Sequence, residues 1–506
     1  MTPFGEYLPD MRGGLETVVA GKNVYPTSSG LYAPVPAFSV TPASLATRVQ
    51  GSTLAVDKDF NVSAYIGTGT GLAKLAAGGS SWTDVTKAGG YATGAAEQWE
   101  FAQFGNRLVA TNFANPVQTV ELTTGGAFAD LSAGAPRARR VAAVNRFVML
   151  GNTTDATYGA RINRIWWSAI DDATSWPTPA TSSAAAVQSG FVDIFGNGNG
   201  IQAIAPRVGA LDAIILQERA LVRCQYVGLP DVFSIQPLEG ARGCPAPGSV
   251  SVIGGMLYYL GEDGFYACDG AQSIPIGAGK VDDAFWGDVN QSFLHRINAA
   301  YDNESQCWLV GYPSMASAQG DIDRVLAFNV MTRRWAPAWQ VNISHLTRLA
   351  SVGYTLEQLD AFFPSGSGGI DGAAQASFDS RAFAGSNKPL IAGFSTSHQL
   401  GYFSGANLEA ELETGDTEAE DKRLMTTGIR PYVEGAGVTN ITCRVGYRDT
   451  KNANVAYTNA VGLNRALLSP IRQNARFTRA VVTVSAGSTW RHLQGFDFNQ
   501  TVAGSM

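Results

Sequence analysis

Phe104-Gly105-Asn106-Arg107-Leu108-Val109-Ala110-Thr111 and Val144-Asn145-Arg146-Phe147-Val148-Met149-Leu150-Gly151 share one build: a tight turn, then a short apolar run. They lie 39 residues apart when Arg107 is set against Arg146. The same build recurs at Leu211-Asp212-Ala213-Ile214-Ile215-Leu216-Gln217, at Gly255-Met256-Leu257-Tyr258-Tyr259-Leu260-Gly261 and at Glu304-Ser305-Gln306-Cys307-Trp308-Leu309-Val310-Gly311. An earlier copy reads Phe60-Asn61-Val62-Ser63-Ala64-Tyr65-Ile66-Gly67. A run of four or five apolar residues bounded by Gly or Asn suits a buried strand and is too short for a helix. Each run is followed by a second strand and often by an aromatic residue: Trp82, Trp176, Phe265 or Trp335.

Units of about 40 to 50 residues with several short strands and a Trp near one end are the pattern of propeller blades. One blade cannot cover both faces of its sheet. Blades closed around an axis can, and closure removes the exposed strand edges that invite aggregation. The spacing predicts about six blades over residues 46–400, with an irregular assembly of β-sandwiches as the alternative. The insertion between Thr178 and Gly200, with its Phe195-Gly-Asn-Gly-Asn-Gly200 tail, blurs the count. The first 45 residues, rich in Pro, Gly and Ser, read as an extended arm.

Composition agrees with an all-β chain. Of 506 residues, 45% are hydrophobic and only 15% charged, against roughly 25% in ordinary soluble domains. With 57 glycines the chain is poor in helix formers and suited to strands and tight turns. The formal net charge is −6, and no basic run exceeds Arg139-Arg140 or Arg333-Arg334, so no face for gripping nucleic acid is evident. The five cysteines, Cys224, Cys244, Cys268, Cys307 and Cys443, form no CxxC pair and read as buried small hydrophobes. The N-terminus has no basic start and no apolar core, so no signal peptide is expected, and no window is apolar enough to span a membrane.

Beyond residue 400 the pattern changes. The segment Glu409-Ala-Glu-Leu-Glu-Thr-Gly-Asp-Thr-Glu-Ala-Glu-Asp421 places seven carboxylates in thirteen residues with no Lys or Arg. Further on, Ile441-Thr-Cys-Arg-Val-Gly-Tyr447 and Ala480-Val-Val-Thr-Val-Ser485 alternate with period two, the pattern of half-buried antiparallel strands. Residues 401–506 are therefore expected to form a C-terminal, β-sandwich-like unit. In a strand, Glu409, Glu411 and Glu413 fall on one face, because side chains repeat every two residues. Three like charges about 7 Å apart call for water or counter-ions. That face is expected to be wet, lining a channel or meeting a partner.

Catalytic signals are weak. Gly67-Thr68-Gly69-Thr70-Gly71 follows a strand, but only a few residues separate it from Gly78-Gly79, too short for a phosphate-cradling helix. His295, His345, His398 and His492 are scattered singly and make no metal-ligand spacing. No GxSxG elbow occurs. Asp263 and Asp302 could be the two carboxyls of a glycosidase, yet both sit beside Gly or Asn where turns are expected. Neither an arginine triad nor Asp-box turns accompany them. The acidic segment lacks the spacing of a calcium loop. No catalytic residue, metal or cofactor is assigned, and the chain is expected not to be an enzyme.

Several stretches carry a resemblance: Trp99-Glu-Phe-Ala-Gln-Phe-Gly-Asn106, Ile165-Trp-Trp-Ser-Ala-Ile-Asp-Asp-Ala-Thr-Ser-Trp176, Gln217-Glu-Arg-Ala220, Glu239-Gly-Ala-Arg-Gly-Cys-Pro-Ala-Pro-Gly-Ser249 and Leu260-Gly-Glu-Asp-Gly-Phe265. Together with Tyr7-Leu8-Pro9, Arg476-Phe-Thr-Arg-Ala-Val-Val-Thr-Val and Gly495-Phe-Asp-Phe498, they resemble the propeller proteins of the tail hub, or nozzle, of short-tailed bacteriophages, a family that includes the packaged-DNA stabilisation proteins. The resemblance implies a structural virion protein made in the host cytoplasm. It implies a homo-oligomer, a hexameric ring beneath the portal and its adaptor proteins. Tail fibres, spikes or a needle would attach to it, and double-stranded DNA would pass without specific contacts. A receptor-binding or fibre-anchoring propeller at the tail tip is the second reading, and a glycan hydrolase the third.

Overall fold

The computed structural model describes residues 1–11, 13–76, 79–350, 389–419, 422–435 and 440–505. The chain is all-β and propeller-like, built from small antiparallel sheets of four strands. In chain order the first sheet comprises Val49–Val56, Val62–Thr68, Leu72–Leu75 and Trp82–Asp84. Glu100–Phe104, Arg107–Thr111, Gln118–Glu121 and Ala129–Asp130 make the second. The third comprises Arg137–Val144, Phe147–Asp155, Gly159–Trp167 and Gly190–Asp193. The fourth runs through Ile201–Val208, Leu211–Gln217, Leu221–Gly228 and Val232–Glu239, and the fifth through Ser251–Ile253, Met256–Leu260, Phe265–Cys268 and Ser273–Pro275.

The apolar runs all fall on the second strand of a sheet. That strand is flanked by hydrogen-bonded neighbours and covered on both faces by adjoining sheets, so it has no polar side. Leu108, Val109 and Ala110 are fully buried, as are Phe147 to Leu150. Burial of each large side chain here stabilises by about 1.5–3 kcal/mol relative to exposure. The turns before these strands need positive φ, which Gly105 (57°) and Asn145 (53°) supply at low cost.

A core cluster joins each sheet to the next. Tyr65 and Leu72 meet Leu108, Val120 and Phe128. Val109 and Val117 meet Val148, Leu150 and Trp166. Met149, Ile165 and Trp167 meet Ile204, Ile215 and Val222. Ile214 and Leu216 meet Leu257 and Tyr259. Leu260 and Phe265 meet Trp308, Val310 and Trp335.

The last of these lies in a seven-stranded sheet: Asn298–Asp302, Cys307–Tyr312, Ile322–Asn329, Arg334–Ala350, Pro389–Ser395, Gln399–Asn407 and Pro36–Ser44. Its 17-residue strand Arg334–Ala350 serves twice. The part up to Ile343 pairs with Ile322–Asn329, and the part from Ile343 pairs with Pro389–Ser395. Leu349, Phe394 and Leu400 at the far end of this sheet pack on Ala64, Ile66 and Leu75 of the first sheet. Residues 351–388, inside the span expected for the propeller, lie outside the described residues.

Two further sheets follow. One places His492–Ser505 beside Lys422–Glu434, with Gln473–Ala475 at its edge. The other is built on Ala410–Thr414, Phe477–Val484 and Ile441–Arg448. Their inner faces share a core of Leu412, Cys443, Val482, Ile429 and Phe496, continuous with Leu309 and Val325 of the seven-stranded sheet.

The segment expected as an arm over residues 1–45 is extended but paired along most of its length. Thr2–Pro3 and Tyr32–Pro34 pair with His492–Ser505. Val18–Lys22 pairs with Ala410–Thr414, and Pro36–Ser44 with Gln399–Asn407. Short extended pieces rich in Pro have few partners within themselves, so they take their hydrogen bonds from distant strands.

Candidate functional site

The acidic strand Ala410–Thr414 is central in its sheet, between Val18–Lys22 and Phe477–Val484. Ala410 and Leu412 point into the core at 1% and 0% exposure. Glu411 and Glu413 point to the opposite face, where cations from neighbouring strands meet them. Lys22 Nζ reaches Glu409 at 2.7 Å, Arg444 reaches Glu411 at 2.9 Å, and Arg479 Nη1 reaches Glu413 at 2.9 Å. Arg479 Nε also binds Asp416 at 2.5 Å, Arg448 pairs with the same carboxylate, and Lys451 lies 3.2 Å from Glu418. Five carboxylates (409, 411, 413, 416, 418) thus face five cations (22, 444, 448, 451, 479).

The expectation that this face must be wet fails at its inner end. Glu413 is only 5% exposed and also accepts a bond from Tyr457 Oη at 3.0 Å. Each of the three glutamates has a cation against it, and at Glu413 that countercharge replaces solvent. Burial alone would raise the Asp416 pKa, but the Arg479 and Arg448 hydrogen bonds outweigh it and hold the carboxyl below its usual range. At the outer end Glu409 is half exposed, and its pair with Lys22 contributes little, about 0–1 kcal/mol. Glu420 and Asp421, which complete the acidic segment, lie outside the described residues. The cations escaped the sequence reading because each is remote in the chain. Their signal was present, however: Arg444 and Arg479 occupy outward positions between core residues of period-two strands.

The other residues singled out fall in separate places. Gly67 to Gly71 forms the hairpin between Val62–Thr68 and Leu72–Leu75, closed by Thr68 N–H donating to the Gly71 carbonyl at 2.8 Å. Asp263 accepts from Tyr266 Oη at 2.7 Å, whereas Asp302 accepts from the Glu304 and Ser305 amides of its own turn. Among the described residues the two share no hydrogen-bond partner, and they belong to turns of different sheets. His345 is buried against the Ser52 hydroxyl at 3.0 Å, and burial lowers its pKa to about 3. His492 meets Glu434 at 3.3 Å. All five cysteines are buried free thiols, and burial pushes Cys224, Cys307 and Cys443 up to about 12, away from the reactive thiolate. Among the described residues, no group of three or more His, Cys, Asp or Glu side chains could hold a metal, and no helix is long and apolar enough to cross a membrane.

No family model matches the chain, and no curated protein matches it. Among solved structures it is similar to the computationally designed Ika8 protein, at 9% identity and a TM-score of 0.35, over 72% of this chain and 100% of that one. It is similar to a chain of the mitotic checkpoint complex at 8% identity and a TM-score of 0.39, over 73% and 93% respectively. A third likeness is to apo AztD from Citrobacter koseri, at 9% identity and a TM-score of 0.32, over 57% and 86%.

Proposed function

We propose that this chain is a structural subunit of the tail hub, or nozzle, of a short-tailed phage, without catalytic activity of its own. The observation that carries the reading is how the resemblance-bearing motifs are used: several of their side chains and amides are spent on joints of the fold. Trp99 Nε1 donates to the Thr68 carbonyl at 2.8 Å, tying the second sheet to the first. Trp167 Nε1 donates to the Gln188 carbonyl at 2.8 Å, and Trp176 Nε1 to that of Ala173 at 2.7 Å. Cys244 N–H donates to the Gln217 carbonyl at 3.0 Å, which links two of the motifs. Ser249 Oγ donates to the Ala246 carbonyl at 2.7 Å and accepts from Leu260 N–H at 3.0 Å.

The architecture that fits this role is a closed ring of seven blades, one more than the run spacing predicts. The seventh would consist of Ile343–Ala350, Pro389–Ser395, Gln399–Asn407 and Pro36–Ser44. The continuous core from sheet to sheet, ending on the first sheet, supports that count. The remaining two sheets, with the N-terminal strands, would form a sandwich fixed to the last blades. Residues 401–506 would thus not be a unit by themselves.

The charge-balanced Glu409–Glu413 face favours contact with a partner over the lining of a DNA channel. Paired carboxylates repel phosphate weakly. Cryo-electron microscopy of the assembled particle tests the proposal. Six copies in a ring around the DNA path are expected, and a single copy or a trimer at the tail tip would favour the receptor-binding reading. Cleavage of host-surface glycan by the purified protein would favour the hydrolase.

A further inference from the structure

Arg140 lies on Arg137–Val144, the first strand of the third sheet. The first strands of consecutive sheets contact one another, and in the proposed ring they would form its inner wall. The residue is 8% exposed, and its Nε has no acceptor among the described residues. A carboxylate is nearby, on Glu100 of the second sheet's first strand, but its Oε2 accepts from Val141 N–H at 2.9 Å. The Arg140 Nε is thus a buried donor without an acceptor, on a cation that Glu100 and Glu97 offset only through space, an arrangement that is costly unless something completes it. Burial lowers its pKa, and Glu100 only partly offsets this.

Other polar groups converge on the same axis. Gln98, ahead of the second sheet, donates to the carbonyl of His295, ahead of the seven-stranded sheet, at 3.1 Å, which joins two sheets far apart in the chain. The Oε1 of Gln98 and the Nε atoms of Arg139 and Arg296 are likewise buried without partners. Arg139 binds Glu97 at 2.7 Å. Arg48 is held down to about 10 by burial and by the neighbouring Arg296. Four arginines (48, 139, 140, 296) therefore face three carboxylates (Glu97, Glu100, Asp321) in a chain whose overall charge is −6.

We infer that the ring axis is a binding site for a small oxyanion, a phosphate or a carboxylate, seated on the Arg140 guanidinium, with Gln98, Arg139 and Arg296 around it. The planar fork of arginine matches two oxygens of either ligand. The site does not depend on the tail-hub role.

Calorimetric titration of the full chain with inorganic phosphate and with malonate, at matched ionic strength and with chloride as the control, tests this. Saturable binding of at least one anion is expected, with chloride inert, and the stronger of the two identifies the source. R140Q should weaken that binding by at least about tenfold, and R140K, which keeps the charge but loses the fork, by a smaller factor. Because R140Q also takes the countercharge from the partly buried Glu100, circular dichroism and a thermal melt of each variant separate loss of binding from loss of fold, and the double variant E100Q/R140Q keeps the site testable if R140Q does not fold. Crystals soaked in selenate would locate the ion independently of any variant. Absence of saturable binding in the wild type up to about 10 mM overturns the inference. So does unchanged binding in R140Q, or selenate density away from Arg140.

Discussion

Arg479 holds two carboxylates at once, Glu413 at 2.9 Å through Nη1 and Asp416 at 2.5 Å through Nε, and Glu413 is almost wholly out of solvent. Replacing Arg479 by Met would leave both anions short of a partner. The expected loss is about 2–4 kcal/mol, between the values for exposed and fully buried pairs. The double variant E413Q/R479M should recover part of it. Urea midpoints measure both, and a change within about 0.5 kcal/mol for R479M would show that the network contributes nothing.

Gly243, inside one of the resemblance-bearing motifs, leaves no space for a side chain. A Cβ there would fall 1.9 Å from the Glu218 carbonyl oxygen, which belongs to backbone and cannot swing away. G243A should cost at least about 3 kcal/mol or prevent folding, whereas G105A, open to solvent though at positive φ, should cost about 1 kcal/mol. Thermal melts of the two variants provide the comparison, and equal melting temperatures would contradict it.

Asp282 sits with its carboxyl against Gly264 and Gly277, accepting from Phe265 N–H at 3.1 Å. Burial, with Asp10, Asp263 and Asp283 adding to it, raises its pKa from 3.8 to about 7. The folded state therefore holds a proton that the unfolded chain releases near pH 4. Stability from this group is fully present below about pH 4 and is lost as pH rises through about 7, by on the order of 2–4 kcal/mol. Asp416, held low, acts in the opposite sense: its contribution is present above the unfolded carboxyl value and is lost as pH falls through the folded one. Melting temperature measured from pH 5 to 8 should decline less in D282N than in the wild type. Parallel curves would remove Asp282 from the account.

Removal of residues 1–45 should abolish soluble expression. Phe4 packs against Phe496 with ring centroids 4.9 Å apart, Asn23 donates to the Glu409 carbonyl at 2.8 Å, and Arg334 donates to the Gly30 carbonyl at 2.6 Å. Truncation would also bare the edge of Gln399–Asn407 to other chains. A soluble truncated protein with an unchanged melting temperature would mean that these strands are dispensable.

Much of the propeller-like sheet arrangement was legible because the second strand of each small sheet has a signature of its own, buried on both faces and therefore unbroken in apolar character. Six such runs were read from the sequence, and each lies on a second strand. The strand Pro389–Ser395 escaped because its partner is the distal part of Arg334–Ala350, with no turn to announce a new unit. The N-terminal strands escaped for another reason: pieces of two to nine residues carry too few periods for a pattern, and apart from the short hairpin Val24–Pro26 with Tyr32–Pro34 their partners lie hundreds of residues away. At the acidic strand, Glu411 and Glu413 lie opposite the core-facing Ala410 and Leu412, while Glu409 precedes the strand, and local sequence could not reveal the cations brought by Lys22, Arg444 and Arg479.

Thr41 Oγ1 donates to the Leu400 carbonyl, 359 residues further along the chain. A ribosome adding about 5–20 residues per second needs on the order of tens of seconds to deliver that partner. Through this interval the strand Pro36–Ser44 waits with its hydrogen-bonding groups open, in a nascent chain whose first sheets already have their own neighbours. Pro36 and Pro42 lie within it, and each removes one amide that a stray strand could capture. The two prolines thus act as guards during synthesis, before Gln399–Asn407 arrives, and on the edge that this strand keeps at the end of its sheet afterwards.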